Sequence, residues 1–210
     1  MQSYPSNPFQ NYTNIWSPRN FPQIQPYLKY YQEDDRNTYI TAFEHLSTFL
    51  KQGIDQFRTM VIHNDMNDQN IIIKFNDSTN KYDISGIIDF SLMMYDCMVF
   101  ELGIMIAYIM LIHDIEPVQA AGYLIAGFHK VFPLTYHEYK ALHKIATSRL
   151  LQSVIMAHYE LSRDATNPYI LNCYKEKCKI FNLLNSMTEK EIYRIWDDIV
   201  GLQSNVLIET

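Results

Sequence analysis

The sequence predicts an α+β fold that is mainly α, in which a small β-hairpin precedes a bundle of helices. Two β-branched apolar segments, Ile71–Phe75 and Ile84–Ile88, flank the turn-forming stretch NDSTNKYD, which is typical of a hairpin. From Cys97 onward, apolar residues recur at helical spacing between prolines and capping patterns. The chain has 210 residues and is 48% hydrophobic, which suffices for one sizeable core.

The first part of the chain predicts an irregular connector over residues 1–27, followed by a lobe over residues 28–210. Five prolines and several asparagines in the connector disfavour regular structure. Apolar residues at helical spacing then predict a helix within Tyr30–Lys51, and Gly53 is a suitable stop for it. A short strand, Thr59–His63, is expected to follow and to lead towards the hairpin.

The part of the chain after the hairpin predicts five helices and no further strand. Prolines open two of them, and Thr-x-x-Glu capping boxes open two others. The predicted helices are Cys97–His113, Pro117 to before Pro133, Thr135 to about Arg163, Asn167-Pro168 to about Asn185, and Thr188 to about Val200.

Two short motifs, VIHNDMNDQN and GIIDF, together favour phosphoryl transfer. The first contains His63-x-Asp65-x4-Asn70, which provides a carboxylate and, after a short loop, a carboxamide oxygen. In the second motif, Asp89 follows an apolar strand. A hydroxyl acceptor needs a base or an orienting group, and nucleotide phosphates need oxygen-bound magnesium. The three side chains of Asp65, Asn70 and Asp89 meet both needs.

The hairpin explains how residues so far apart in sequence form one site. A hairpin that is symmetric about its turn places Ile71 opposite Ile88, so that Asn70 lies beside Asp89 at the open end. Mg²⁺ prefers few protein oxygens, with phosphate and water as its other ligands. Asp65, five residues before Asn70, is then predicted to accept a proton from the substrate hydroxyl or to orient it.

These motifs carry a family resemblance. HNDMNDQN resembles the HGDxxxxN loop of the aminoglycoside phosphotransferase and choline kinase superfamily, and GIIDFS resembles its magnesium-binding segment. Around them, FRTMVIH, YDCMVFELGIMIAYIM and NPYI are similar to the hydroxylysine kinases, and the likeness runs from about Trp16 to near the C-terminus. The resemblance implies that Asp65 is the catalytic aspartate and that Asn70 and Asp89 are magnesium ligands.

The resemblance also implies a fold and a reaction. The fold is the C-terminal lobe of a protein-kinase-like enzyme. The reaction is transfer of the γ-phosphate of GTP, with ATP as the alternative donor, to the hydroxyl of 5-hydroxylysine, with Mg²⁺ as the metal. Asn64 replaces the family's glycine after His63, and asparagine tolerates the left-handed backbone that such a position requires.

Four further residues are candidates for the site. His63, Asn67 and Glu101 are expected to support the catalytic loop. For His63, bracing the loop through a backbone hydrogen bond is favoured over proton transfer. Glu101 lies within an apolar helix, and it is expected to hydrogen-bond the loop; the alternative is an acid near the start of a helix that faces solvent. Asp96 is a candidate for binding a cationic substrate, or else an ordinary loop acid.

Two alternatives to an active hydroxylysine kinase stay open. The 62 residues before His63 contain no G-x-G-x-x-G and no strand lysine, the parts that grip nucleotide phosphates in complete kinases. The chain is therefore expected to be a catalytic lobe with a face that an N-terminal lobe or another protein covers. The first alternative is a non-catalytic binding module of this kind. The second is a kinase for another amino alcohol, such as choline, ethanolamine or an aminoglycoside.

The composition disfavours several other classes of protein. The net charge is −6 without a basic cluster, which argues against nucleic-acid binding. The apolar run Met98–Ile112 contains an acid and is shorter than a membrane span of about 20 residues, so no membrane insertion is expected. Cys97, Cys173 and Cys178 contain no C-x-x-C pair, and reduced thiols in the cytoplasm are the expected state.

Overall fold

The structure, a computed structural model, describes residues 13–32, 35–112 and 114–201. It is mainly α with two small antiparallel sheets, which confirms the predicted fold class. The described elements are α1 (Arg36–Lys51), β1 (Thr59–Ile62), β2 (Ile71–Asn76), β3 (Lys81–Ile87), β4 (Met94–Cys97), α2 (Met98–Ile109), α3 (Pro117–Val131), α4 (Tyr136–Arg163), α5 (Pro168–Ser186) and α6 (Glu189–Val200).

Helix α4 is the centre of the core. It packs against α1, α2, α5 and the N-terminal segment around Pro18–Tyr30, and two stretches of it are buried, Ala141–Leu142 and Ile145–Ile155. Helix α2 approaches α4 closely at Gly103, where an added Cβ would clash with the side chain of Ile145. The α2–α4 contact therefore depends on the missing side chain of Gly103. No helix among the described residues is long and apolar enough to cross a bilayer.

The two predicted capping boxes are both present. Thr135 and Glu138 cap α4, and Thr188 and Glu191 cap α6, each pair through reciprocal side-chain and backbone hydrogen bonds. These boxes satisfy amide groups that a helix N-terminus otherwise leaves without partners. Helix α1, Arg36–Lys51, lies within the predicted range Tyr30–Lys51, and α2 ends at Ile109 rather than at His113, which lies outside the described residues.

The expected connector is more regular than its prolines indicate. Residues 1–12 lie outside the described part of the chain, but Pro18–Tyr30 forms a 3₁₀ helix, so the prediction of irregular structure is wrong there. Proline fixes φ near −65°, a value that the 3₁₀ conformation accepts. Phe21 and Ile24, three residues apart and thus one 3₁₀ turn apart, are fully buried. The segment is part of the packed lobe.

Strand β4 was not expected from the sequence. It pairs antiparallel with β1, from Thr59 opposite Cys97 to Ile62 opposite Met94, so the chain after the hairpin is not entirely helical. β1 has the same length but three β-branched residues, whereas MYDC of β4 has none, so nothing local indicated a strand there.

The hairpin of β2 and β3 exists, but its register differs from the predicted one. Ile71 lies opposite Ile87 rather than Ile88, and a β-bulge between Ile72 and Ile73 shifts the remaining pairs by one residue. A bulge places an extra residue in one strand, and the symmetric pairing assumed from the sequence does not include it. The open end still lies where the two motifs meet.

Candidate active site

The loop between β1 and β2 carries the first motif, and a hydrogen bond from the loop to a side chain of α2 holds it in place. Asn64 adopts a φ of 65°, the left-handed conformation expected of the residue that replaces glycine. Its backbone N–H donates a 2.8 Å hydrogen bond to Oε2 of Glu101. The predicted contact between Glu101 and the loop is therefore confirmed, and the solvent-facing alternative is wrong. Burial raises the pKa of Glu101, and this hydrogen bond partly opposes that rise.

Asp65 lies at the centre of the loop, and one of its oxygens is paired with an arginine. Arg149 of α4 donates from its second terminal nitrogen to Oδ1 of Asp65 at 2.6 Å. The guanidinium is almost fully buried, and it also donates to the backbone oxygen of Trp16 at 2.9 Å and to the hydroxyl of Tyr108 at 3.3 Å. Arg149 thus fixes the orientation of the Asp65 carboxylate.

Arg149 is the functional residue that the sequence motifs missed. It lies 84 residues after Asp65, so no local pattern connects the two. One signal was available. An arginine in a long, otherwise uncharged stretch of helix must find a partner for its charge if it is buried, because an unpaired buried charge is costly. The partner is the candidate catalytic aspartate.

Two asparagines close the loop around Asp65. Nδ2 of Asn70 donates to the Asp65 backbone oxygen at 2.8 Å and makes a longer contact of 3.4 Å with Oδ2. Nδ2 of Asn67 donates to the same backbone oxygen at 3.0 Å, and its Oδ1 accepts from the N–H of Gln69. These bonds use the amide nitrogen of Asn70, and no described residue donates a hydrogen bond to its Oδ1.

The second motif lies next to the first. The N–H of Ile88 donates to the backbone oxygen of Asn70 at 3.0 Å, and Nε2 of His63 lies 2.8 Å from the backbone oxygen of Ile88. His63 thus occupies the loop-bracing position that was favoured for it. Asp89 follows directly, with a φ of 58°. The two motifs are joined by the backbone, although the strand register is not the expected one.

Asp89 is exposed, and one of its oxygens is engaged. Its Oδ1 accepts from the hydroxyl of Ser91 at 2.6 Å and from the Ser91 N–H at 3.3 Å. These hydrogen bonds to the charged form lower the pKa of Asp89. Its Oδ2 has no hydrogen-bond donor among the described residues. The carboxylate is therefore ionised and presents one open oxygen.

The oxygen ligands available at this point suit a magnesium ion. Oδ1 of Asn70 and Oδ2 of Asp89 are two hard oxygens that accept no hydrogen bond from the described residues, and the hydrogen bond from Ile88 to Asn70 joins the two segments that carry them. Within residues 13–32, 35–112 and 114–201, no group of three or more His, Cys, Asp or Glu residues could hold a metal. An ion at this position would take its other ligands from phosphate and water, as Mg²⁺ commonly does.

Comparison with known proteins places the chain in a family. The model of APH, the phosphotransferase enzyme family, matches residues 1–142. The chain belongs to the APH family. It is 32% identical over 188 residues to the hydroxylysine kinase of Xenopus laevis and 33% identical over 187 residues to that of Mus musculus. Each alignment covers 87% of this chain and 50% of the relative.

A third relative in the APH family extends the same picture. The hydroxylysine kinase of Danio rerio is 29% identical over 184 residues, which cover 87% of this chain and 51% of that protein. The chain therefore spans about half the length of the curated relatives that it matches. The resemblance inferred from the two motifs is confirmed at the level of the family.

A cavity of about 320 Å³ opens beside Asp65 in this APH-family lobe. It lies between α2, α4, α5 and the N-terminal segment. Aromatic and charged side chains line it, among them Trp16, Tyr108, Arg149, Glu160 and Lys177. A space of this size suits a small molecule.

Asp96 lies away from this cavity, and its carboxylate is fully engaged. Its side chain is buried and pairs with Arg19 at 2.7 Å. It also accepts from the Ser17 hydroxyl at 2.8 Å and from the N–H of Cys97 at 2.8 Å. Both oxygens already accept hydrogen bonds and the side chain is buried, so the structure does not support the substrate-binding prediction for Asp96. Asp96 instead fastens the N-terminal segment to β4.

Proposed function

We propose that this chain is the catalytic lobe of a small-molecule kinase that transfers the γ-phosphate of GTP to the hydroxyl of hydroxylysine. The observation that supports it most is the position of Asp65. Its carboxylate faces a cavity of a size for a small molecule, and the two candidate magnesium ligands, Asn70 and Asp89, lie beside its loop. Acceptor site and phosphate site thus adjoin one carboxylate, as in-line phosphoryl transfer requires.

Asp65 acts on the acceptor hydroxyl in this proposal. Arg149 occupies its Oδ1, whereas Oδ2 has only the 3.4 Å contact from Asn70. Oδ2 is therefore the oxygen that accepts the hydrogen bond, and then the proton, of the substrate hydroxyl. Asn70 and Asp89 would hold Mg²⁺. The ion, when bound, neutralises charge on the nucleotide phosphates.

Different observations support the proposed substrate and the proposed phosphate donor. Hydroxylysine is proposed because the APH-family relatives carry that name, and because the cavity has a size suited to an amino acid. GTP is proposed on the family resemblance alone, so ATP belongs in every assay as a second donor. We also propose that the protein is cytoplasmic, because Cys97, Cys173 and Cys178 are all free thiols.

A second candidate function is a non-catalytic binding module. The hairpin exposes large apolar side chains, including Ile73, Tyr82 and Ile84, at 57%, 68% and 69% of their surface. Exposed apolar patches commonly mark a surface that another molecule covers. A nucleotide-gripping lobe or another protein would fit there, and in this candidate the lobe only binds it.

Phosphoryl transfer by the purified chain separates the two candidates. The chain is mixed with Mg²⁺, GTP or ATP, and hydroxylysine, choline, ethanolamine or an aminoglycoside, and phosphorylated acceptor is measured by mass spectrometry. The proposal expects phosphohydroxylysine, and a rate at least about 100-fold lower for D65N, the loss expected on removing a general base.

The control is D68N, which changes an exposed aspartate of the same loop and should retain the wild-type rate. Equal rates for D65N and the wild type would refute the role of Asp65. Absence of transfer to every acceptor would favour the binding module, and transfer to another acceptor in preference to hydroxylysine would correct the substrate.

A further inference from the structure

The cavity beside Asp65 contains two charges of each sign, but only two of the four are paired with each other. Asp65 and Arg149 form an ion pair at 2.6 Å and neutralise one another in the cavity wall. Glu160 and Lys177 also line the cavity. After the internal pair is set aside, one anionic and one cationic side chain remain to face a ligand.

Lys177 of α5 is a half-buried ammonium without a counterion. Among the residues that the structure describes, its only recorded polar contact is with the Tyr108 ring, whose centroid lies 6.0 Å from Nζ. The guanidinium carbon of Arg149 lies 5.6 Å from the centroid of the same ring. Two cations thus share one aromatic ring. Asp65 neutralises Arg149 but not Lys177, so an anionic group of a ligand would stabilise this half-buried ammonium, most strongly where water is partly excluded.

Glu160 of α4 supplies the opposite charge at another position in the cavity. It follows Arg149 by 11 residues, which is about three helical turns, so both side chains project from one face of α4. The only ion pair of Glu160 in the described chain is with Arg163 at 3.8 Å, and Arg163 is 65% exposed. Exposed pairs of this kind contribute little, so the carboxylate remains available for an ammonium group.

We propose that Lys177 and Glu160 select the acceptor by its two charges: Lys177 binds a carboxylate and Glu160 binds an ammonium group of a zwitterionic amino acid. This inference rests on the proposed function, in that the cavity is taken as the acceptor site. Amino alcohols without a carboxylate, such as choline, ethanolamine and the polycationic aminoglycosides, leave Lys177 without a partner. They should therefore bind weakly.

Calorimetric titration tests the pairing of Lys177 with a carboxylate. The ligands are hydroxylysine and hydroxylysine amide, in which the carboxylate is replaced by a neutral group. The proteins are the wild type, K177M, E160Q and the control K179M, which changes an exposed lysine of the same helix. Thermal unfolding of each variant verifies that it is folded.

The expected results differ between variants and ligands. K177M should weaken hydroxylysine binding about tenfold or more, the size of one lost charge-assisted contact, and change amide binding less than about twofold. E160Q should weaken both ligands, and K179M neither. Equal weakening of both ligands by K177M, unchanged binding, or no binding of hydroxylysine to the wild type would each overturn the inference.

The phosphoryl-transfer assay keeps the two proposals apart. Binding that depends on Lys177 without any transfer of phosphate would refute the kinase function but support the selection of a zwitterion. Transfer to hydroxylysine with a KM that K177M and E160Q leave unchanged would support the kinase function and overturn the selection.

Discussion

At the scale of single residues, the site depends on how one carboxylate is held. Asp65 receives three kinds of support: Arg149 on its side chain, two asparagines on its backbone oxygen, and a loop fixed by Glu101 through Asn64. The arginine contributes most to orientation, because its buried fork also contacts Trp16 and leaves the guanidinium little freedom. Removing it should thus affect both stability and catalysis.

The variant R149M is expected to lose up to about 3 kcal/mol of unfolding free energy, the low end for breaking a buried ion pair, since Asp65 is partly exposed. Its kcat for phosphoryl transfer should fall because Asp65 loses its fixed orientation. Urea unfolding and initial rates measure the two effects. The variant R163M, which removes an exposed arginine of the same helix, should change neither. A wild-type kcat in R149M would show that Arg149 does not position Asp65.

The sequence was informative about residues within motifs and uninformative about their distant partners. Asp65, Asn70 and Asp89 were predicted to meet, and the structure joins their segments by the Ile88 hydrogen bond. Arg149 was missed because pairing across 84 residues leaves no local pattern. Asp96 was a candidate for binding a cationic substrate or else an ordinary loop acid, and its pairing with Arg19, 77 residues earlier, leaves no local pattern either.

At the scale of elements, the capping box at the N-terminus of α4 also ties that helix to the segment before β1. Glu138 closes the box with Thr135, and it also receives two side-chain hydrogen bonds from Arg58, at 2.9 and 2.6 Å, just before β1. Burial raises the pKa of Glu138, but the bonds from Arg58 outweigh it, and the net pKa lies below the usual value. The box of α6, with Glu191, is exposed and has no such partner among the described residues.

A comparison of E138Q with E191Q tests this difference. E138Q should lose about 1–3 kcal/mol of unfolding free energy at neutral pH, because the charged hydrogen bonds from Arg58 become weaker, and E191Q should lose much less. A depressed folded-state pKa stabilises the protein above the unfolded-state pKa, and this stability is lost as the pH falls through the folded-state pKa. The gap between wild type and E138Q should therefore shrink in acid. Denaturant unfolding at a series of pH values measures it, and a gap that grows in acid would contradict the assignment.

Replacing two helical glycines by alanine should change the free energy of unfolding in opposite directions. G103A places a methyl group against Ile145 in the α2–α4 contact and should cost about 1–3 kcal/mol through overpacking. In G127A, on α3, the added Cβ meets nothing within 4 Å, so the variant should gain up to about 1 kcal/mol from helix propensity. Thermal and urea unfolding measure both. A neutral G103A would mean that α2 and α4 separate freely at this point.

The elements that the sequence predicted well are those with a strong local signal. The capping boxes located the starts of α4 and α6, and proline located those of α3 and α5. The 3₁₀ helix and β4 were missed, because prolines indicate irregular structure and the residues of β4 include none that is β-branched. The bulge of the hairpin, where the pairing skips Ser85 of β3, was missed for a similar reason, since bulges are set by packing rather than by one pattern.

At the scale of the whole molecule, the lobe has two faces with different chemistry. One is the cavity between the N-terminal segment and α2, α4 and α5, where charges are matched for a small zwitterion. The other is the exposed apolar hairpin, whose open end carries Asn70 and Asp89. Asp65 lies between the two faces, so acceptor and phosphate donor can reach it from different sides. The chain spans about half the length of the curated relatives that it matches.

The magnesium dependence of phosphoryl transfer tests this arrangement most directly. Initial rates of hydroxylysine phosphorylation are measured against Mg²⁺ concentration for the wild type, D89N and the control D77N, an exposed aspartate of the hairpin turn. Asparagine tolerates the positive φ of Asp89, so D89N keeps the backbone and removes the charge. The half-saturating Mg²⁺ concentration should rise about tenfold or more in D89N, the effect of losing one charged contact, and stay unchanged in D77N. Identical magnesium curves for D89N and the wild type would contradict the assignment of Asp89 as a metal ligand.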